Sequence, residues 1–379
     1  MAYSIRFGKV KRIIYLRSND ANPDPRLTKE VNAALRNGFS ASILAWDRYG
    51  TCQAVEKVTA PEGEYCVKRF KLESKFGSGI RNILKLMAFQ CFLVKSLFLN
   101  RKNIDIIHAA DFDTVIPAVL MKIFYGKSVV YDIYDFYVDA FPVPSFLKKI
   151  IRIIDIKIIS FVDAVILPVE YRLEQISGSN PRKVIYVHNT PERMESTEKL
   201  LNKNDKLIFS YVGILQDHRF LKQIINFAKK NNGIELNIAG FGLYEDYVAD
   251  CSEKFENIKY YGKVPYRVGL NISAKADILF AIYDPSIKNH KYSAPNKFYE
   301  ALMLERPILV SNETGVDELV RKNKVGWCID YNESAFSDFL KSITKNEINE
   351  VSKNMRKVYD EQYSWEVMEK RLIDLYNSF

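Results

Sequence analysis

SAPNKFYEALMLERPILVS, Ser293 to Ser311, reads as a loop, a capped helix, a short connection and a buried strand. Ser293 is the residue type that caps a helix N-terminus, and Pro295 suits a first turn, where a missing N–H costs nothing. Phe298, Ala301 and Leu302 recur at helical spacing and define a core face, while Asn296, Lys297 and Glu300 share another. Arg306-Pro307 ends the helix, and Ile308–Ser311 reads as a short parallel strand. Free amides at a helix start favour a phosphate, and the cation one turn in adds to that preference. The carboxylate one turn later can accept hydrogen bonds from sugar hydroxyls. The set suits a nucleoside diphosphate-sugar; the plainer alternative is an amphipathic helix with Lys297 and Glu300 as a solvated pair.

The same rhythm continues on both sides. Leu207–Gly213 is a strand, ILQDHR a loop containing Arg219, and FLKQIINFAKK a helix. IELNIAG runs into Gly240-Phe241-Gly242, a glycine pair that by itself says only that a tight turn follows a strand. NIKYYGKV, ending at Val264, is a strand; a helix over about Arg267–Lys275 and the strand Asp277–Tyr283 lead into the opening stretch. Near the N-terminus, IIYLRS, LTKEVNAALRNGF and SASILAW form a βαβ unit. The loop after its first strand makes Asp20, Asp24 and Arg26 candidate site residues, with simple helix capping by Asp24-Pro25 as the alternative. IDIIHAADF, VIPAVLMKIFYG and SVVYDIYD repeat the pattern and place Asp111, Asp132 and Asp135 near strand ends. AVILPV, a helix around Tyr171–Ile176 and KVIYVHNTPE complete this half, and RMESTEKLLNKNDK is the linker.

The expected fold is therefore α/β, with two doubly wound Rossmann-like domains facing a cleft. The domain ranges read as 1–192, a linker at 193–206, 207–355, and a final helix, 356–379, packing back on the first domain. A chain of 379 residues can bury two such cores, and 47% hydrophobic with 27% charged residues is a soluble globular composition. The net charge of +9 favours anionic membranes or phosphorylated substrates, and no nucleic-acid-binding signature accompanies it. Five scattered cysteines without a Cys-x-x-Cys pair read as reduced, mostly buried thiols of a cytoplasmic protein. Four scattered histidines offer no metal-ligand spacing, so no metal or cofactor is expected. The N-terminal apolar run is too short for a signal peptide, and no stretch approaches the ~18 apolar residues of a spanning helix.

Two helices combine apolar and basic residues. Arg81–Lys102 carries five cations and no acid, and Ser145–Ala164 four cations against two acids. Both suit peripheral contact with an anionic membrane; the alternative is burial with snorkelling lysines.

The ordered set of segments resembles the nucleotide-sugar glycosyltransferases of the GT-B fold, family 4, of the bacterial surface-polysaccharide type. DPRLTKEVNAALRNGFSASILAW, HAADFDTVIPAV with VVYDIYDFY, VHNTPE, YVGILQDHRFLKQII, ELNIAGFG, YYGKVP, SAPNKFYEALMLERPILVS and YSWEVMEKRLIDLY carry the likeness across essentially the whole chain. The resemblance implies an N-terminal acceptor domain and a C-terminal donor domain. It further implies transfer of a hexosyl-type sugar to a lipid-linked or glycan hydroxyl, retaining and metal-independent. Members commonly bind the diphosphate with two cations; here Gly213-Ile214-Leu215 lacks the first, and Arg219 holds the later position. Glu300 matches the second of two family glutamates, the ribose ligand, and Tyr292 stands where the first is expected. The donor set is then Gly213, Arg219, Gly240, Gly242, Val264, Tyr292, Ser293, Asn296, Lys297 and Glu300. Asp135 is the first candidate for base or acceptor-orienting group, followed by Asp111 and His108. Alternatives are a nucleotide-sugar 2-epimerase of the same architecture, or a degenerate transferase acting as a partner subunit.

Overall fold

Apolar runs too short for helices alternate with amphipathic segments along nearly the whole chain, and each pair closes one parallel crossover. The computed structural model describes residues 10–74, 83–140, 144–194 and 206–379. It divides into one unit of Met1–His188 with Met368–Phe379 and a second of Asn189–Val367. The boundaries expected at 192 and 355 thus differ from divisions after 188 and 367. Most of the expected linker, residues 195–205, lies outside the described residues.

The N-terminal unit runs β1 (Arg12–Leu16), α1 (Pro25–Arg36), β2 (Ser40–Asp47), β3 (Val55–Ala60), β4 (Gly63–Lys71), α2 (Ile83–Leu99), β5 (Ile106–Ala110) and α3 (Phe112–Tyr125). It continues with β6 (Ser128–Asp132), α4 (Tyr137–Ala140), α5 (Ser145–Ile159), β7 (Ala164–Leu167) and β8 (Val184–Tyr186). The sheet order is β3-β4-β2-β1-β5-β6-β7-β8, parallel except for the β3–β4 hairpin. That hairpin turns at Pro61-Glu62-Gly63 and is an addition to the expected topology. The helix expected at Tyr171–Ile176 is a 3-10 turn, Glu170–Glu174.

The C-terminal unit runs β9 (Leu207–Ile214), α6 (Leu221–Lys230), β10 (Ile234–Phe241), α7 (Glu245–Lys254), β11 (Ile258–Tyr260), α8 (Tyr266–Ala274) and β12 (Ile278–Ala281). Then come α9 (Lys288–Lys291), α10 (Asn296–Leu304), β13 (Ile308–Ser311), α11 (Val316–Asn323), β14 (Gly326–Ile329), α12 (Glu333–Ser342) and α13 (Lys345–Val358). Its six parallel strands lie in the order β11-β10-β9-β12-β13-β14, the dinucleotide-fold order with its reversal between β9 and β12. The last helix, α14 (Trp365–Asn377), belongs to the N-terminal unit from Met368 onward.

The opening stretch forms as the apolar pattern dictates, with Phe298, Ala301 and Leu302 fully buried and Ile308–Ser311 paired between β12 and β14. Its helix starts later than expected, however. Pro295, not Ser293, is the N-cap residue, and it makes no side-chain cap hydrogen bond. Ser293 instead closes the preceding turn, its N–H donating to the His290 carbonyl at 3.1 Å.

Strand alternation separates two chemistries in the N-terminal unit. Leu16, Trp46, Ile107 and Val129 pack with Phe89, Leu93, Val115 and Ile159 from α2, α3 and α5. Asp155 of α5 points into this layer and accepts the Tyr131 hydroxyl at 2.8 Å. Burial pushes its carboxyl up to about 7, against the Tyr131 hydrogen bond. The native state then holds a proton that the unfolded chain releases near pH 4, so stability is full below that pH and falls as pH rises through about 7. Asp155→Asn keeps the acceptor and removes the titration. Thermal unfolding of this variant shows little gain at pH 4 and a Tm higher by about 2–6 °C at pH 8; equal Tm values at pH 8 would sink this reading.

The cysteines depart from expectation. All five are free, but Cys66 and Cys91 are exposed and only Cys251 is buried.

Candidate functional site

In an open α/β sheet the strand order reverses where neighbouring loops part, and the crevice there receives ligands. In the C-terminal unit that point lies between the ends of β9 and β12. A cavity of 280 Å³ opens there, lined by Tyr211 and Gly213 of β9, Arg219, Tyr283, and Asn296, Lys297 and Glu300 of α10. Gly213 leaves room for the Lys297 ammonium where it lies: a Cβ on it would stand 2.7 Å from Nζ. The ammonium lies 4.2 Å from the centre of the Tyr211 ring. Burial works against its charge, and the Tyr211 and Tyr283 phenols with Glu300 outweigh that, leaving its pKa above the ordinary value. Arg219 stacks on Tyr283 with its guanidinium carbon 3.8 Å from the ring centre. Glu300 is buried and accepts the Tyr266 hydroxyl at 3.0 Å. Asn296 accepts from Asn189 at 3.0 Å. Two cations, a helix start and a fixed carboxylate thus converge on one cavity.

The loops of this crevice are tied together by a pair the sequence pattern does not reveal. His218 Nδ1 and Asp284 Oδ2 lie 2.8 Å apart, and the Asp284 N–H donates to the His218 carbonyl at 3.1 Å. Burial pushes the Asp284 carboxyl up, but hydrogen bonds from Ser286 and His218 hold it below the usual carboxylate range. His218 and Phe220 both adopt positive φ, 63° and 58°, a strained geometry that this tie and the packing of Phe220 maintain.

Five expected donor residues do not line this cavity. Gly240 and Gly242 serve strand contact: a Cβ would fall 1.8 Å from the Gly213 carbonyl oxygen and 2.7 Å from that of Leu215. Val264 is half-buried ahead of α8. Tyr292 is buried at the end of α9, with the Lys291 ammonium 5.4 Å from its ring centre. Ser293 is occupied in the turn before α10.

The N-terminal unit reverses its strand order between β1 and β5. Arg17, just past β1, meets Asp111, just past β5, at 2.5 Å and Asp24 at 2.7 Å. Asp24 also caps α1 through the Leu27 N–H, as the capping alternative expected. Asp20 is a half-buried loop residue that accepts the Asn22 N–H at 3.1 Å. Asp111 has φ +65° and accepts the N–H groups of Tyr134 and Asp135 at 2.9 and 3.2 Å. Burial pushes its carboxyl up to about 6; Arg17 opposes this, and Asp113 and Asp135 add to it. Both of its oxygens are engaged. Asp135, by contrast, is about half exposed and pairs with Arg172 through one oxygen at 3.2 Å. Asp135 is thus the accessible carboxylate, and Asp111 fixes the backbone that carries it.

His108 does not join them. It is fully buried on the other face of the sheet, its Nδ1 2.7 Å from the Tyr376 hydroxyl and its Nε2 3.3 Å from Asp132. As a base it is corrected to a structural member of the buried network, because neither nitrogen reaches solvent. Arg26 donates to Asp132 at 2.6 Å and Glu30 at 3.1 Å in the same network. Glu30, His108 and Asp132 bring one ligand atom each within 4.8 Å, a grouping that sequence spacing does not show. The Arg26 guanidinium already bonds both carboxylates and supplies the positive charge there.

No curated protein sequence matches the chain. Residues 192–362 match the model of the family described as Glycosyl transferases group 1. Among solved structures, sucrose-phosphate synthase from Thermosynechococcus elongatus superposes with a TM-score of 0.73 at 14% identity, over 97% of this chain and 99% of that one. HepE of Anabaena, solved with UDP and glucose, gives 0.68 at 13% identity, over 97% and 100%. An E. coli trehalose-6-phosphate protein bound with UDP-2-fluoro glucose gives 0.65 at 12%, over 96% and 98%. The chain therefore has the two-domain GT-B fold of these structures, and residues 192–362 within it are similar to the group 1 glycosyl transferases.

Proposed function

We propose that the protein transfers a hexosyl-type group from a nucleoside diphosphate-sugar to a hydroxyl of a lipid-linked or glycan acceptor, in bacterial surface-polysaccharide assembly on the cytoplasmic side of a membrane. The observation that carries the donor half is the cavity where Lys297, Arg219 and the first amides of α10 face the same space as Glu300. UDP in the HepE structure, and a UDP-sugar in the E. coli one, support a donor of this class.

The sugar's C1–O bond to the diphosphate breaks, and C1 bonds to the acceptor oxygen. The charge that develops sits on the leaving phosphate, so stabilising it is the main catalytic task. Lys297, Arg219 and the amides supply positive charge at that point without a metal or cofactor in this proposal. Glu300 binds the ribose hydroxyls, held in orientation by Tyr266. Asp135 accepts the hydrogen bond of the acceptor hydroxyl, and the departing phosphate takes its proton. The configuration at C1 is retained, as the resemblance of the ordered segments to retaining members implies.

The donor assignment is tested by calorimetric titration with UDP. Glu300→Ala weakens binding about tenfold, on the order of 1.4 kcal/mol, while the thermal transition is kept. Unchanged affinity would remove Glu300 from the donor site.

A further inference from the structure

The N-terminal unit carries a continuous apolar and cationic helical face, and we propose that this face seats the unit flat on an anionic lipid surface. The inference rests on the lipid-linked-acceptor reading above and deepens it by naming the surface on which that acceptor is met.

α2 packs against α3, and α3 against α5, so the three helices lie side by side. Each buries one stripe against the sheet and leaves a second apolar stripe in solvent. On α2, Phe89, Leu93 and Leu97 are fully buried, while Leu84 is 75% and Met87 59% exposed. Phe124 of α3 is 70% exposed, and Phe146 and Ile150 of α5 are 67% and 51% exposed. An ordinary surface helix places polar residues on such a face. Of 26 exposed large apolar side chains among the described residues, 16 lie on these helices or just past α5. A patch concentrated in this way marks an interaction surface.

Charge selects the occupant. Lys85, Lys95, Arg101 and Lys102 belong to α2 and its end, Lys122 and Lys127 to α3 and its end, and Lys148, Lys149, Arg152 and Lys157 to α5. The acids of the three helices are Asp113 and Asp155, and Asp163, just past α5, pairs with Lys122. Asp155 is buried, and one Asp113 oxygen is buried as well. A second copy on this face would set cation against cation, which opposes self-association. Phosphate headgroups are complementary, and long basic side chains reach them while their stems stay with the apolar stripe. Arg101 shows this geometry at the rim, its guanidinium carbon 4.3 Å from the centre of the Phe98 ring. No described helix is long and apolar enough to cross a membrane, so the contact lies in the plane of the interface.

Co-sedimentation of the full chain with vesicles tests the proposal. Binding is expected to phosphatidylcholine vesicles containing phosphatidylglycerol, weaker in high salt, and much weaker to phosphatidylcholine alone. The double variant Phe124→Glu/Ile150→Glu partitions on the order of tenfold less while keeping UDP affinity. Phe124→Trp, read against the buried or half-buried native Trp46, Trp327 and Trp365, is quenched by brominated lipid in anionic vesicles. Glu300→Ala keeps vesicle binding, so failure of the donor reading and failure of this one are separable. Absence of wild-type binding to anionic vesicles, unchanged partition of the double variant, or a dimer in sedimentation velocity that the double variant abolishes would each overturn it.

Discussion

Lys297→Met lowers kcat by about 10²–10³-fold, the largest loss expected from any single donor-site change. Methionine keeps much of the side chain's length and removes its charge. The lysine is held on three sides: Gly213 leaves room for its ammonium, the Tyr211 ring lies beneath it, and α10 carries its stem. Such a cation needs no reorganisation when the diphosphate departs, which is why its effect falls on the transition state rather than on ground-state binding. UDP affinity therefore drops by less than kcat does, and Arg219, stacked on Tyr283, retains part of the phosphate binding. Single-turnover rates with a saturating nucleotide-sugar separate the two quantities. A kcat within a factor of about three of wild type would exclude Lys297 from the leaving-group site.

The parts of this site that could be read from sequence are those local in the chain. Lys297 and Glu300 are one turn apart on one helix, so periodicity alone puts them on a shared face. The order of apolar runs likewise fixed where most strands fall, since a four- to eight-residue buried strand and an amphipathic helix have different periods. The β3–β4 hairpin carried a signal too, in the alternation around Pro61-Glu62-Gly63. What stayed hidden depends on strand order. Arg17 and Asp111 are separated by 94 residues, and His218 and Asp284 by 66, yet each pair meets because two particular strands are neighbours. His108 shows the opposite failure. It lies inside β5, with its side chain in the buried network of Glu30 and Asp132, whereas Asp111 lies just past the strand end with φ +65° and meets Arg17. The Ser293 cap failed for a local reason: Pro295, with φ −66° and ψ 131°, already sets the turn into the helix. The glycines of Gly240-Phe241-Gly242 read only as a tight turn after a strand, and backbone proximity to Gly213 and Leu215 accounts for them.

Asp135→Asn is expected to reduce kcat/KM for the acceptor by about 10²-fold or more while leaving UDP affinity unchanged. Asparagine still accepts a hydrogen bond through its amide oxygen but no longer offers a negative charge to the hydroxyl. The defect thus isolates charge from shape. Asp111 acts differently, because its oxygens hold Arg17 and the Tyr134 and Asp135 amides rather than solvent. Asp111→Asn leaves an amide where one of those partners needs an acceptor, and so disturbs the Asp135 loop and stability together. The contrast distinguishes a group that touches the acceptor from one that positions it: Asp135→Asn changes acceptor kinetics at constant Tm, whereas Asp111→Asn lowers both. The same assay reports stereochemistry. If the phosphate takes the proton, the residual Asp135→Asn product keeps the donor's anomeric configuration. An inverted product from the wild-type chain, with activity lost in Asp135→Asn, would instead make Asp135 the general base. Full acceptor kinetics in Asp135→Asn would move the acceptor away from the end of β6 altogether.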